Sequence, residues 1–291
     1  MRLRFSAIVL ASLSLLSPAL SAANLAGSDL LQGEPAKVLA PLNDSVPGGV
    51  KLILDGSLMG EKHLRSGAAD GALLILPDKN KIAEIQKGEW EAIPVGYQAI
   101  VVAVNKLNKL DQIDIPTLAG IYGKLQSADI QHWSAVKGSG VDMPIYPAST
   151  RYDLGVISPL FRNRVLRDGE YKSTVTFLTG DGAAADYAIS NTNAIVILSV
   201  PPSEDRVKLL AVKGPGQENA YQPTASNLYN GDYPLGIPMY FVFPKNKQAT
   251  IRPLAGAIFG DAMAEALKKA GFISVPKNLR TSFVQKLDKA S

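Results

Sequence analysis

The chain has 291 residues, of which 46% are hydrophobic and 19% charged, enough apolar material for one large core or two modest ones, which excludes an intrinsically disordered protein. The formal net charge is only +4 and no dense stripe of lysine and arginine occurs, so neither nucleic acid nor an anionic membrane is expected as a partner. Cysteine is absent, which excludes a disulfide framework, a thiolate nucleophile and a cysteine metal site.

The N-terminal segment, residues 1–23, has the three parts of a secretory signal. Two arginines precede an apolar run that extends to about Leu16, and small residues follow. The apolar run is shorter than the ~20 residues that a membrane-spanning helix needs, so we predict a cleaved signal peptide rather than an anchor. Cleavage is expected after Ala22 or Ala23, and loss of the two arginines would reduce the net charge from +4 to +2.

The first part of the mature chain predicts strands that alternate with helices. Gly27-Ser28 and Gly56-Ser57 both fall at strand-to-helix turns, where open α/β sheets bind their ligands. The βαβαβ order is typical of a parallel sheet. The predicted elements are a helix at 35–43, a strand at 50–55, a helix at 61–66 and a strand at 71–76.

The rest of the chain continues the alternation and predicts a second, smaller sheet. Residues 92–105 carry the most continuous strand signal, and Pro116 in a first helical turn indicates a short helix behind it. The further predicted elements are a strand at 174–178, a helix at 183–190, strands at 194–200 and 231–243, and a long helix at 251–271 that stops at Gly271.

Residues 145–166, IYPASTRYDLGVISPLFRNRVL, predict a strand, a polar loop that holds Arg151, and a helix. The free backbone N–H groups at the start of that helix and the Arg151 guanidinium would point into one place, which predicts an anion site. Ser158 followed by Pro159 is also typical of an ordinary helix N-cap with a first-turn proline, so the role of this serine stays open.

Other kinds of site receive little support from the sequence. His63 and His132 are isolated and have no carboxylates at metal-site spacing, so no metal site is predicted. The turns at 138–140 and 180–182 lack the lysine and hydroxyl pattern of a phosphate loop, and no nucleophile elbow occurs. Tyr97 is interpreted as a packing or rim aromatic. We therefore expect no enzyme activity and no cofactor.

Four stretches resemble, in the same order, the phosphate-binding proteins of bacterial ABC importers, a branch of the type II periplasmic solute-binding proteins. This resemblance implies an α/β protein of two lobes, each a mostly parallel sheet flanked by helices, with the ligand cleft between the lobes. It implies a first lobe at 24–142 plus 232–291 and a second lobe at 143–231. The stretches are AGSDLL, AIPVGYQAIVVAVNKLNKLDQIDIPTLAGIYGKL, IYPASTRYDLGVISPLFRNRVL, and NTNAIVIL followed by YPLGIPMYFVF.

The second-lobe site that the resemblance implies is only partly matched. Arg151 stands where the family has its phosphate-pairing arginine, and a guanidinium suits bidentate contact with an oxyanion. The family continues with Ser-Gly-Thr, whereas this chain has Gly155 followed by Val156 and Ile157. Both hydroxyl donors are thereby replaced, which leaves backbone N–H groups and, as a substitute hydroxyl, Ser158.

The first-lobe site is also only partly matched. Ser57 matches the family's donor in the second loop. In the first loop Ser28 is followed by Asp29, where the family has a threonine-type donor. Asp29 cannot donate to a fully ionised oxyanion, but it could accept a proton from a protonated one, contact a ligand amine, or cap the following segment. The family also has an acidic residue shortly after the start of the strand that follows its Ala-Asp pair, and here the apolar Leu74 and Ile75 replace it.

Two functions follow from the resemblance. The first is a monomeric periplasmic protein that captures phosphate or a similar small oxyanion and delivers it to an ABC permease. The second is a module of the same fold that has lost transport and serves in sensing or interaction, with a different small ligand or none. The sequence identifies neither the ligand nor the membrane partner.

Overall fold

The structure is a computed structural model, and it describes residues 23–45, 49–76, 79–151, 157–202, 205 and 207–289. Residues 1–22 of the predicted signal peptide (1–23) and Gly155 of the predicted site lie outside the described residues. No helix in the described ranges is long and apolar enough to cross a membrane.

Strands and helices alternate through most of the described chain. The strands are β1 (Ala23–Gly27), β2 (Val50–Ile53), β3 (Gly71–Ile75), β4 (Trp90–Ala99), β5 (Val101–Asn105), β6 (Gln112–Asp114), β7 (Tyr146–Thr150), β8 (Thr176–Leu178), β9 (Ala194–Leu198), β10 (Val207–Leu209), β11 (Ala211–Lys213), β12 (Gly236–Pro244) and β13 (Ile273–Ser274). The α-helices are α1 (Glu34–Leu39), α2 (Leu42–Ser45), α3 (Ser57–Arg65), α4 (Lys79–Lys87), α5 (Ile115–Tyr122), α6 (Ile157–Arg164), α7 (Asp181–Ser190), α8 (Ala225–Asn230), α9 (Gln248–Ile258), α10 (Asp261–Lys269) and α11 (Lys277–Lys289).

Two large sheets organise these elements into two lobes. The first lobe is built on a six-stranded sheet of order β13-β4-β12-β3-β1-β2, and the second on a five-stranded sheet of order β10-β5-β9-β7-β8. A small sheet pairs β11 with β6. The predicted two-lobed α/β fold is confirmed, and so is the parallel pairing of β1 with β2 and β3.

The sheets are mixed rather than mostly parallel, which corrects the prediction. In the first lobe β12 runs antiparallel to both β3 and β4, and in the second lobe β5 runs antiparallel to β9. The physical reason is the path of the chain between the lobes. The strand that enters each lobe from the other lobe runs against its neighbours: β12 enters the first sheet between β3 and β4, and β5 enters the second sheet beside β9.

The first sheet is covered on both faces because its strands alternate between two apolar surfaces. Leu25, Leu73 and Phe241 pack on one side with residues of α9 and α10, while their neighbours Ala26 and Ala72 pack on the other side with residues of α3 and α4. The core of the second lobe contains the fully buried Trp133 and Phe161, and it continues to Tyr97 and Ala99 at the end of β4.

The continuous strand expected at 92–105 is two strands in two different sheets. β4 ends at Ala99 in the first lobe, and β5 begins at Val101 in the second. Between them the Ile100 N–H donates to Leu235 O, on the segment that returns to the first lobe at Gly236. Residues 101–142 therefore pack with the second lobe, although the sequence placed them in the first.

The long helix expected at 251–271 is also two elements, because α9 ends at Ile258 and α10 begins at Asp261. Gly260 lies between them with extended dihedrals of φ −72° and ψ 164°. Glycine is a weak helix former, and a Cβ atom there would lie only 2.8 Å from Gly256 O. The last expected strand likewise begins at Gly236 rather than at 231.

Candidate functional site

The carboxyl edges of the two sheets meet at the connection between the lobes. In the first sheet β4 runs in the same direction as β3 and β1, because both β3 and β4 are antiparallel to β12. In the second sheet Val101, the first residue of β5, pairs with Leu198, the last residue of β9. The single residue Ile100 thus joins the two edges, and Ser28 after β1, Ser57 after β2 and Arg151 after β7 lie at the edges where an α/β fold binds its ligand.

The first of these loops holds Ser28 directly after β1. The Ser28 N–H donates to Leu73 O at 2.9 Å, and Ser28 Oγ accepts from the Leu30 N–H at 3.3 Å, which makes Ser28 the N-cap of a 3₁₀ turn. Its hydroxyl also approaches Asp29 Oδ1 at 3.4 Å. Ser28 is buried and Asp29 is exposed. The Ser28 hydroxyl is therefore used within the loop, whereas the Asp29 carboxylate faces solvent.

The second loop holds Ser57, the first residue of α3, and its hydroxyl is fixed in place. Ser57 Oγ accepts from the Ile75 N–H at 3.0 Å, at the end of β3. No acceptor for its own proton occurs within the described ranges, so this hydroxyl can donate to a ligand. The preceding Gly56 adopts φ +114°, a conformation that favours glycine, and its N–H donates to Gly27 O at 3.1 Å. This bond brings the two predicted glycine-serine turns together.

Close packing beneath these two turns requires both Gly27 and Gly60. A Cβ atom on Gly27 would lie 2.9 Å from Leu73 O, the carbonyl that receives the Ser28 N–H. A Cβ atom on Gly60 would lie 2.9 Å from a Leu74 methyl carbon and 3.3 Å from Gly27 N. Helix α3 can therefore approach β1 closely enough to set its N-terminus beside Ser28.

In the second lobe, Arg151 follows β7 directly. Its N–H donates to Leu178 O at 2.9 Å, which ties its backbone to the end of β8, and the residue is exposed. Its position at the carboxyl edge agrees with the anion-site prediction, and it supplies a permanent positive charge there. Gly155, the other predicted contact in this loop, lies outside the described residues.

Ser158 does not fit the ligand role that the sequence left open. It is the second residue of α6 and is fully buried. Its hydroxyl donates to the Tyr171 hydroxyl at 3.2 Å, and the Tyr171 hydroxyl donates to Ser158 O at 2.8 Å. The helix begins at Ile157, so Ser158 is not its N-cap either. This serine holds α6 against the segment around Tyr171.

Asp181 is a carboxylate at the same edge that the sequence did not single out. It begins α7, and it accepts hydrogen bonds from the Ser199 N–H at 2.9 Å and the Val200 N–H at 3.3 Å, beyond the end of β9. The Ser199 hydroxyl donates to it as well. The signal in the sequence was a glycine before an acidic residue at a helix start, which is too common to be specific. Asp181 orders the chain where β9 meets the connection between the lobes.

The described residues contain no group of three or more histidine, aspartate or glutamate side chains that could hold a metal ion. His63 instead pairs with Asp55 at 2.9 Å, and His132 lies 3.3 Å from Asp142. The hydrogen bonds of His132 and Ser134 hold the pKa of the Asp142 carboxyl below its usual range, with the Ser134 bond the larger cause. Asp55 belongs to the loop between β2 and α3, two residues before Ser57, so the His63–Asp55 pair borders the first-lobe serine loop.

Solved structures with the same fold come from several bacteria. A possible phosphate binding protein from Planctomyces limnophilus matches with a TM-score of 0.68 and 16% identity, over 93% of this chain and 98% of that chain. PstS from Borrelia burgdorferi matches with a TM-score of 0.71 and 14% identity, over 88% and 99%. An ABC-type phosphate transport receptor from Vibrio cholerae matches with a TM-score of 0.61 and 19% identity, over 86% and 99%.

Sequence comparison agrees with the structural likeness. Protein SphX of Synechococcus elongatus is 24% identical over 242 residues, which are 80% of this chain and 71% of that protein. The family model of the PBP superfamily domain matches residues 47–263, which extend from β2 in the first lobe through the second lobe to α10. The chain belongs to the PBP superfamily.

Proposed function

We propose that this protein is a periplasmic solute-binding protein that captures phosphate, or a closely similar small oxyanion, and delivers it to an ABC importer. The observation that carries this proposal is the placement of Ser57 and Arg151 on the two carboxyl edges that Ile100 joins. A neutral donor from one lobe and a guanidinium from the other suit an anion held between them. Phosphate is the anion we choose because the structural relatives include a possible phosphate binding protein and an ABC-type phosphate transport receptor.

The protein acts by binding rather than by catalysis in this proposal. Closure of the two lobes around the solute would bring both sets of donors to one ligand, and the closed state would be selected because it binds the ligand better. The protein would work as a monomer with an ABC permease as its partner, and no cofactor is needed.

Export to the periplasm requires the segment at residues 1–22 to be removed. Of the two expected cleavage positions, the structure favours the one after Ala22. Ala23 is buried in β1, pairs with Val50, and donates its N–H to Gly49 O at 2.9 Å. Cleavage after Ala23 would remove this strand residue. Intact-mass spectrometry of the periplasmic protein should therefore give an N-terminal Ala23, and an N-terminal Asn24 would contradict this assignment.

Calorimetric titration with inorganic phosphate, and with sulfate in parallel, tests the oxyanion function directly. We expect micromolar or tighter binding of phosphate. A thermal shift provides an independent measurement, because a ligand at 100 times its dissociation constant stabilises the folded state by roughly 2.7 kcal/mol. Absence of any response to phosphate, sulfate and other small oxyanions would overturn the proposal.

The second candidate function is the non-transport module of the same fold. It is favoured by the shortage of hydroxyl donors in the second lobe, because Val156 and Ile157 carry none and the Ser158 hydroxyl is bonded to Tyr171. For this candidate we expect the purified protein to fold normally. We also expect deletion of its gene to leave phosphate uptake by the cell unchanged. Transport assays with and without the protein separate the two functions.

A further inference from the structure

A second cavity between the lobes has a composition unlike that of the oxyanion site. Its volume is about 490 Å³, and none of Ser28, Ser57 and Arg151 lines it. The first lobe contributes α4, β4 and β12 to its walls, and the second lobe contributes the segments 214–217 and 228–234. This volume lies within the range of about 300–1,000 Å³ in which small-molecule pockets fall.

Three tyrosines that line this cavity have hydroxyls without a partner among the described residues: Tyr97, Tyr229 and Tyr240. Tyr97 is only 6% exposed, so its hydroxyl is a polar group of a buried residue that borders the cavity. In contrast, Tyr233, which also lines the cavity, donates to Ile100 O at 2.7 Å. Among the described residues, Arg280 Nε is the one fully buried side-chain N or O atom without a partner, so the Tyr97 hydroxyl is accessible from the cavity and can bond to a ligand there.

The hydroxyls of Tyr240 and Tyr229 lie close enough to Tyr97 to affect its pKa. Burial raises the pKa of Tyr97 well above its usual value, and the neighbouring Tyr240 and Tyr229 raise it further. Burial also raises the pKa of Tyr240. Both side chains therefore stay protonated at physiological pH and can each donate one hydrogen bond and accept others.

The second-lobe wall of the cavity is held in one conformation. Gln217 Oε1 accepts from the Gly214 N–H at 2.6 Å, and Gln217 Nε2 donates to Asp232 O at 2.7 Å. A Cβ atom on Gly214 would lie 2.7 Å from Gln217 Oε1, so glycine is required at this contact. The cavity is thus shaped before any ligand enters, which reduces the entropy lost on binding.

The chemistry of the walls determines the class of ligand. Arg164 is the only charged side chain among the described residues that line the cavity, and no lysine or carboxylate joins it there. A ligand amine would have no counter-charge. Tyrosine and proline rings provide apolar surface, while the tyrosine hydroxyls and the Gln86 and Asn230 amides provide hydrogen-bonding groups.

We propose that this cavity binds an uncharged sugar of mono- or disaccharide size. A sugar combines apolar C–H faces with many hydroxyls, and so it matches walls that combine aromatic rings with uncharged donors and acceptors. Since both lobes line the cavity, the sugar would bind best to one arrangement of the lobes. Any effect on oxyanion affinity would then be matched by an equal effect of the oxyanion on sugar affinity.

The test is calorimetric titration of the purified protein with D-glucose, N-acetyl-D-glucosamine, maltose and trehalose. We expect at least one of these sugars to bind and Tyr97→Phe to weaken that binding about three- to tenfold, because one hydrogen bond is lost. Tyr240→Phe should have a similar effect. The control is Tyr146→Phe on β7, since Tyr146 is 43% exposed and does not line the cavity.

A second variant keeps the test decisive if the hydroxyl effects are small. Ala83 is exposed on α4 and lines the cavity, so Ala83→Trp should fill the space without disturbing a core. We expect this variant to lose sugar binding while it keeps its phosphate affinity and its circular dichroism spectrum. The proposal is overturned if none of the four sugars binds, if Tyr97→Phe and Ala83→Trp leave sugar binding intact, or if Ala83→Trp removes phosphate binding as well.

Discussion

The carboxyl edges of the two sheets, which meet at Ile100, carry different kinds of polar side chain. On the first lobe, the hydroxyls of Ser28 and Ser57 are fixed by backbone N–H groups of their own lobe. On the second lobe, Arg151 is anchored through its backbone and remains exposed, while the nearby Ser158 hydroxyl is bonded to Tyr171. The Ser28 hydroxyl is used within its loop, so the first lobe offers one neutral, preorganised hydroxyl donor, that of Ser57, and the second lobe offers the charge of Arg151.

This difference separates two contributions to oxyanion binding. A charge-assisted contact from Arg151 supplies more free energy than a neutral hydroxyl does, because hydrogen bonds to ions are about twice as strong. The Ser57 hydroxyl on the first lobe is already fixed, so it loses little entropy on binding. It therefore favours anions whose oxygen atoms lie in the direction of its proton. Loss of the Arg151 guanidinium should therefore change affinity most, and loss of the Ser57 hydroxyl should change it by a smaller step.

The largest effect is expected for Arg151→Ala. Loss of a bidentate guanidinium contact should cost about 3 kcal/mol, which weakens phosphate binding about 100-fold in calorimetric titration. The matched control is Arg162→Ala, which removes the same charge from an exposed position on α6. Equal losses in the two variants would show that only the net charge of the lobe matters.

The next effect concerns the packing that positions the first-lobe donors. Gly27→Ala would push a Cβ atom against Leu73 O, so the free energy of unfolding should fall by about 2 kcal/mol in urea denaturation. Phosphate binding should weaken as well, because Leu73 O holds the Ser28 loop.

The control for this substitution is Gly256→Ala. Gly256 is exposed within α9 and its added Cβ atom would meet nothing within 4 Å, so this change should stabilise the protein by about 0.5–1 kcal/mol. If Gly27→Ala is as harmless as Gly256→Ala, then the close approach of α3 and β1 does not position the donors.

A smaller effect is expected for Ser57→Ala, which removes one neutral donor. Phosphate binding should weaken about five- to tenfold, the usual net value of one hydrogen bond to an anion in a preorganised site. Ser66→Ala, at the other end of α3, removes a hydroxyl that donates to His63 O and should leave phosphate affinity unchanged. If the Ser57→Ala variant kept wild-type affinity, Ser57 would not contact phosphate and the proposed first-lobe part of the site would be wrong.

The smallest effect on binding is expected for Ser158→Ala. Its hydroxyl is bonded to Tyr171, so phosphate affinity should stay within about twofold of the wild type, whereas the free energy of unfolding should fall by about 1 kcal/mol. A tenfold loss of phosphate affinity with unchanged stability would show instead that this serine reaches the ligand and that the two lobes are more alike than proposed.

Local patterns in the sequence predicted much of the first lobe. The βαβαβ order and the two glycine-serine turns were read correctly, because strand alternation and glycine at tight turns are properties of short segments. The local sequence also predicted correctly that Arg151 directly follows a strand, which is β7. The division at Ile100 could not be predicted in this way, because residues 92–105 give one continuous strand signal whichever sheet each half joins.

The sequence by itself determined the α/β alternation, the glycines at the turns and the arginine at the end of β7, since each depends on residue types within a few positions of one another. The two lobes were implied by the resemblance of four stretches to a known family. Only the tertiary structure decided which sheet receives β5, that Ser158 is bonded to Tyr171, and that Tyr97 and Tyr240 meet Tyr229 at one cavity. These outcomes depend on contacts between residues far apart in the chain, and the free energy of such contacts is set by burial and by the supply of hydrogen-bonding partners in the folded protein.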